Sequence, residues 1–369
     1  MNKTNPTDFT NPWVKGLGVY EPGKPIEEVA RELGFDSAED IIKLASNENA
    51  LGPSPRAVEA MIKAAGQMHL YPDGGAHYLR QALARRLRIH NHQLVVTHGS
   101  NEAIELLGHV FLTDGTNIVM ADQAFVVYRL VAAASRAVTL SVPMRDFTHD
   151  LDAMLAAITP DTRLVFIANP NNPTGTMVDG AAIDRFMDQV PEHVLVVFDE
   201  AYIELLPPER QPDTLRYLRQ GRSVCILRTF SKTYGLAGLR VGYAIAAAPV
   251  VDMLNRVRQP FNVNAMAQVA AQAALEDEDY VERTRRMVSE GLRFFEKEFA
   301  GMGLSYVPSV ANFILVKVGK GRDVFHAMQR HKVIVRPMDP YGLPEYVRVT
   351  VGTTRQNELT ISALRKVLA

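Results

Sequence analysis

Seven short runs of β-branched and aliphatic residues recur along the first two-thirds of the chain, and nearly every position in them is apolar. They lie at 94–97, 117–121, 137–142, 163–168, 193–198, 223–227 and 241–246. A strand with one wet face alternates apolar and polar residues, whereas a strand covered on both faces does not. Helical periodicities separate the runs, at 102–111, 128–134, 151–158 and 180–189. Strand and helix in alternation predict an α/β fold, with a mostly parallel central sheet and helices on both faces, in a large domain over 47–258.

After Pro260 the pattern changes. A long helical segment over 265–300 is followed by a strand at 312–318, a helix near 323–329, strands at 333–336 and 346–351, and a last helix. That order predicts a smaller α+β domain over 259–369. The acidic run 276–279 and the basic Arg283, Arg285 and Arg286 read as a solvated helix face or turn. Residues 1–46 are too few and too polar for a domain of their own, and are expected to pack on the small domain or reach a partner subunit.

Composition narrows the classes. With 47% hydrophobic and 22% charged residues among 369, the chain can bury a sizeable core and is not a disordered polymer. Forty Lys and Arg stand against 41 Asp and Glu, which argues against nucleic acid or an anionic membrane held by bulk charge. The single cysteine, Cys225, excludes an intramolecular disulfide and a Cys-cluster zinc site, and its apolar run reads as an inert buried thiol. The ten histidines show no metal spacing. Charges such as Arg129 and Arg136 break the apolar stretches well short of the ~20 residues a membrane helix needs. The polar N-terminus lacks a signal peptide's apolar core, so a cytoplasmic protein is expected.

Four segments place chemistry-bearing residues at strand ends. Ser231-Lys232 follows the run 223–227, and a lysine there sits where open α/β sheets bind ligands. Arg240, eight residues on, is suited to a phosphate, although this segment alone reads equally as a surface loop. Asp199 ends another apolar run with Tyr202 three residues later, and an acid there also reads as a helix cap. The stretch 169–175, with its two prolines, three asparagines and a glycine, is a turn on any reading, which leaves a ligand role for Asn172 open. Residues 97–102 form a strand–turn–helix junction whose backbone N–H groups suit an anion. They lack the three-glycine dinucleotide fingerprint, so a nucleotide cofactor is not indicated.

In this order Asn172, Asp199, Tyr202, Lys232 and Arg240 stand 27, 3, 30 and 8 residues apart. With that spacing the chain resembles class II of the fold-type I pyridoxal-phosphate-dependent aminotransferases. Segments 20–25, 44–49, 71–74, 99–102 and 346–352 narrow the resemblance to members that act on histidinol phosphate, and it runs from about Trp13 to nearly the end. Ala50 and Gln123 stand where many relatives carry proline, which touches the substrate side more than the cofactor side.

The resemblance implies pyridoxal 5'-phosphate as cofactor, with Lys232 forming its Schiff base and shuttling a proton, its pKa lowered by Arg240 and partial burial. It implies Asp199 on the pyridine nitrogen, and Asn172 and Tyr202 on the ring oxygen. Ser100, Asn101, Thr229, Ser231 and Arg240 are expected to bind the phosphate, with Tyr71 arriving from the other subunit of a homodimer. Phe125 falls where the family stacks an aromatic ring on the cofactor, although core packing explains it too. For the substrates, histidinol phosphate and glutamate or 2-oxoglutarate, Tyr20, Asn172, Arg336 and Arg348 are the expected contacts. Asn312 matches a residue beside the substrate loop, or a hydrogen bond at a strand start. Aromatic amino-acid aminotransferases and, in another reaction class, threonine-phosphate decarboxylases share most of these motifs.

Overall fold

The computed structural model describes residues 5–19 and 23–369. In chain order its strands are β1 (Ile42–Lys43), β2 (Leu94–Thr97), β3 (Asn117–Ala121), β4 (Val138–Val142) and β5 (Thr162–Ala168). Next come β6 (Leu195–Asp199), β7 (Val224–Thr229), β8 (Gly242–Ala246) and β9 (Tyr306–Val307). The last are β10 (Phe313–Lys317), β11 (Val333–Ile334), β12 (Arg336–Pro337) and β13 (Tyr346–Thr350). Strands β2 to β8 make one seven-stranded sheet in the order β2-β8-β7-β6-β5-β3-β4.

The apolar runs are explained by where alternate side chains go. In β6, Val196 and Phe198 enter the core on one face of the sheet, and Leu195 and Val197 enter the core on the other. In β7, Val224 and Ile226 divide from Cys225 and Leu227 in the same way. Two buried faces leave no position for a polar residue until the strand ends. Burial pushes the Cys225 thiol up to about 12, which keeps it protonated and inert.

Strands β3 to β7 run parallel to one another, and β8 runs antiparallel to both β7 and β2. The expected mostly parallel sheet is therefore present, with one reversed strand whose apolar run carries no mark of direction. The pairing brings the carboxyl ends of β2, β3, β5, β6 and β7 and the start of β8 to a single edge. That edge is where an open α/β sheet takes its ligands.

The remaining strands are shorter. β12, β13, β10 and β9 form an antiparallel four-stranded sheet, and β1 pairs in parallel with β11. The stretch expected as one strand at 333–336 is thus divided between two sheets. The helix Ile26–Leu33 adds Val29 and Ala30 to the core behind these strands.

The segment expected as one helix over 265–300 is two, Ala265–Leu275 and Glu278–Gly301. Asp277 breaks it: the buried carboxylate caps the second helix at Tyr280 N (3.2 Å) and accepts the Ser54 hydroxyl. The two helices then part company. Ala267, Ala270, Ala271 and Ala274 pack into the large sheet's core, while Val288, Phe295 and Phe299 pack behind the small sheet. Among the described residues no helix is long and apolar enough to cross a membrane.

Candidate active site

A cavity of ≈ 380 Å³ lies between the carboxyl edge of the large sheet and the small sheet. Lys232, Asp199, Tyr202 and Asn172 all line it, each from the loop or strand end where the apolar run stops. Lys232 Nζ donates to the Ser46 carbonyl at 3.2 Å and lies 5.7 Å from the centre of the Tyr202 ring. Its pKa is lowered from 10.5 to about 8, chiefly by burial, then by the charge of Arg348 and, to a smaller extent, Arg240. Arg348 acts more strongly than Arg240, the cation to which the resemblance points.

Asp199 is buried at the end of β6. Tyr128 Oη donates to its Oδ2 at 2.6 Å, and the Ala201 amide donates to Oδ1 at 3.2 Å. Burial raises its pKa, outweighing these two bonds, which lower it. Tyr202 Oη accepts from Asn47 Nδ2 at 2.9 Å, leaving its own proton to donate, and burial pushes its pKa up to about 12. Asn172 Oδ1 accepts from Arg348 Nη1, so its NH₂ group is the part left to donate into the cavity.

At one end the cavity is built for an anion. Ser100 and Asn101 open the 13-residue helix Gly99–Phe111, whose first N–H groups have no partner within the helix. Across from them Ser231 N donates to Thr229 Oγ1 at 3.1 Å, Thr229 Oγ1 donates to Ser231 Oγ at 3.0 Å, and Arg240 Nη1 reaches Ser231 Oγ at 3.4 Å. Missing side chains let these groups converge. A Cβ on Gly242 would lie 2.7 Å from the Ser100 nitrogen, and one on Gly99, whose φ is +71°, would lie 2.5 Å from Arg240 Nη2. This donor set of hydroxyls, helix N–H groups and a guanidinium contains no carboxylate and fits a phosphate.

At the other end stand two arginines. Arg336 on β12 and Arg348 on β13 are directly opposite one another in the antiparallel register, and both are buried. Arg348 Nη2 donates to the Ala45 carbonyl at 2.9 Å, and its guanidinium lies 5.1 Å from the centre of the Phe313 ring. Phe125 lines the cavity and also packs edge-on against Tyr128, with centroids 5.8 Å apart.

Tyr71 is not in this cavity. It lies on the chain's surface, 83% exposed and stacked on Phe261 at 4.7 Å. Tyr20 lies outside the described residues. Asn312 donates to the Asn47 carbonyl at 3.0 Å, holding the segment that carries Asn47 rather than lining the cavity itself.

Sequence reasoning missed Tyr128, Asn47 and His149. Tyr128 resembles any aromatic on a buried helix face, and only the fold brings its hydroxyl to Asp199. Asn47 stood within a quoted motif but received no role; its φ of +56° turns it toward Tyr202. His149 donates Nε2–H to the Ala168 carbonyl at 3.0 Å, bracing the end of β5 ahead of the Asn172 loop. Burial holds its pKa down at about 4, so the ring stays neutral.

The lowered pKa of Lys232 has a direct readout. In protein freed of small molecules, acylation of Lys232 should rise with pH about a midpoint near 8, because the neutral amine is the nucleophile. Arg348→Gln removes a nearby positive charge and should move that midpoint upward. A midpoint near the ordinary 10.5 in the unaltered chain would contradict the arrangement described.

Comparison with known proteins agrees with this geometry. Residues 39–364 match the family model for aminotransferase class I and II. A histidinol-phosphate aminotransferase from Akkermansia muciniphila is 54% identical over 98% of this chain and 99% of its own length. One from Moorella thermoacetica is 52% identical over 96% and 92%. Among solved structures, histidinol-phosphate aminotransferase from Sinorhizobium meliloti, in complex with pyridoxal-5'-phosphate, superposes with a TM-score of 0.89 at 28% identity, covering 98% of this chain and 97% of that one. Aspartate aminotransferase from Thermus thermophilus, at 21% identity and a TM-score of 0.83 over 97% and 98%, shares the fold. The chain belongs to the class I and II aminotransferase family.

Proposed function

We propose that the chain transfers an amino group between L-histidinol phosphate and 2-oxoglutarate, giving imidazole-acetol phosphate and L-glutamate, in either direction, with pyridoxal 5'-phosphate as cofactor. The observation that carries this reading is the convergence, in one cavity, of Lys232 and Asp199 with a phosphate cradle at one end and paired arginines at the other. The names of near-full-length relatives at 54% and 52% identity support the choice of substrate.

When bound, the cofactor supplies a carbonyl that takes up the amino group and a ring that accepts the electrons of the Cα–H bond. The chain's own residues supply the rest. Ser100, Asn101, Thr229, Ser231 and Arg240 bind the phosphate. Asp199, its carboxylate oriented by the Tyr128 hydroxyl, holds a proton on the pyridine nitrogen. The NH₂ of Asn172 and the hydroxyl of Tyr202 donate to the ring oxygen. Lys232, with a pKa of about 8, is neutral in a useful fraction near physiological pH and moves the proton at the substrate Cα.

The arginine pair meets the demand of two unlike substrates. Glutamate presents a carboxylate and histidinol phosphate a phosphate, and the planar forks of Arg336 and Arg348 suit either. Tyr20 is part of the same reading as a further anion contact.

The working unit is a homodimer in which Tyr71 of one subunit reaches the phosphate site of the other. Tyr71 and Phe261, both exposed and stacked on one another at 4.7 Å, support this reading, since a pair of aromatic rings left on the surface suits a covering subunit.

The reading is tested with holoenzyme given histidinol phosphate and 2-oxoglutarate. Glutamate formation is expected, with phenylalanine turned over more slowly. A preference for phenylalanine would move the enzyme to the aromatic class, and CO₂ release from threonine phosphate would make it a lyase. Shared sites are tested by mixing Lys232→Ala with Tyr71→Ala, each inactive alone. Subunit exchange should restore about a quarter of wild-type activity, because half the dimers would then hold one intact site. No recovery after demonstrated exchange would contradict the shared site.

A further inference from the structure

Tyr341 is an aromatic residue of the cavity wall that no role above uses. It sits in a tight turn directly after β12, the strand that carries Arg336. Tyr341 N and Leu343 N both donate to the Met338 carbonyl, at 3.0 and 3.1 Å, and Gly342, with φ +73°, closes the turn. Arg322 clamps the turn from outside, with Nε 3.1 Å from both carboxylate oxygens of Asp339 and Nη2 2.6 Å from Oδ2. Beneath it Met338, Leu315 and Val307 form a small packed core against which Tyr341 rests. A side chain so braced has little freedom left to lose when a ligand arrives.

Two further observations aim Tyr341 into the cavity rather than at solvent. Burial is the main reason the hydroxyls of Tyr128 and Tyr202 resist ionisation, but Tyr341 contributes to both. Those two hydroxyls belong to the large-sheet side of the cavity, whose wall Tyr341 shares from the small-sheet side. Arg336 and Tyr341 also leave the same strand and turn, only five residues apart. Arg336, Arg348 and Tyr341 line the same cavity, so a molecule whose anion rests on the two arginines shares its space with the Tyr341 ring.

We propose that Tyr341 is a specificity-determining residue, the aromatic wall against which the imidazole ring of histidinol phosphate packs while the arginine pair holds its phosphate. This rests on the substrate reading given above. Glutamate uses the same arginines and has no ring, so it draws nothing from such a wall. A rigid flat tyrosine face favours the substrate with a planar ring at little entropic cost.

The experiment compares kcat/KM for histidinol phosphate and for glutamate in wild-type holoenzyme, Tyr341→Leu and Tyr341→Phe. The wall predicts that the ratio of the two falls about tenfold or more in Tyr341→Leu, within the range a hydrophobic pocket contact commands. The fall should come through KM for histidinol phosphate, and Tyr341→Phe, which keeps the ring, should recover most of it. A ratio within twofold of wild type in Tyr341→Leu would overturn the proposal, whether both activities hold or fall together, since a proportional loss marks a general structural role. A change confined to kcat would overturn it as well. Wild-type enzyme that fails to convert histidinol phosphate at all would instead bring down the substrate reading, and this assignment with it.

Discussion

A lysine amine withheld from water and set among positive charges is the constraint around which the rest of this site is arranged. Burial, Arg348 and Arg240 all disfavour the ammonium form of Lys232, while Glu48 and Asp199 partly restore it. The balance leaves a pKa of about 8, low enough for an amine that must act as nucleophile and base. Three of those charges have structural settings of their own, so the tuning follows from the way the site is assembled. Arg240 reaches Ser231, Arg348 bridges the small sheet to Asn172 and Ala45, and Asp199 ends a central strand.

Arg348 also shows how the two sheets are made to act as one. Its guanidinium donates to Asn172, in a loop of the large sheet, and to the Ala45 carbonyl, in the segment that follows β1. Asn312 holds the same segment through the Asn47 carbonyl, and Asn47 in turn holds the Tyr202 hydroxyl. A chain of buried polar contacts therefore runs from the small sheet to the floor of the cavity. In such a low-dielectric setting each link depends on its neighbours. Loss of Arg348 would release Asn172 and the Ala45 segment and shift Lys232 together, which is why its substitution cannot be read as the loss of a single contact.

The large sheet was legible because burial on both faces of its inner strands removes the usual alternation; the edge strand β4 shares the apolar run but not the burial, with Val138 exposed. Strand direction was not, since β8 is as apolar as the parallel strands of the same sheet. The break at Asp277 was hidden because an acidic residue on a solvated helix and one capping a helix look alike until Ser54 is brought beside it. The division of 333–336 between two sheets depends on partners nearly three hundred residues away in one case, Ile42 with Val333. At the site, Lys232, Asp199 and Asn172 were visible as polar residues where apolar runs end, but each admitted a structural explanation, and only their joint spacing pointed to a cofactor. Tyr128 and Tyr341 were invisible for the opposite reason: ordinary aromatic residues in local context, they gain significance only from the packing that turns them toward the cavity.

The account depends on Lys232 being the amine that meets the cofactor. The most direct measurement is to load the protein with pyridoxal 5'-phosphate, reduce it with sodium borohydride and locate the modified residue by peptide mass spectrometry. The account predicts a stable pyridoxyl group on Lys232 and none in the Lys232→Ala variant. Modification of a different lysine under the same stoichiometric loading, or none at all, would contradict it.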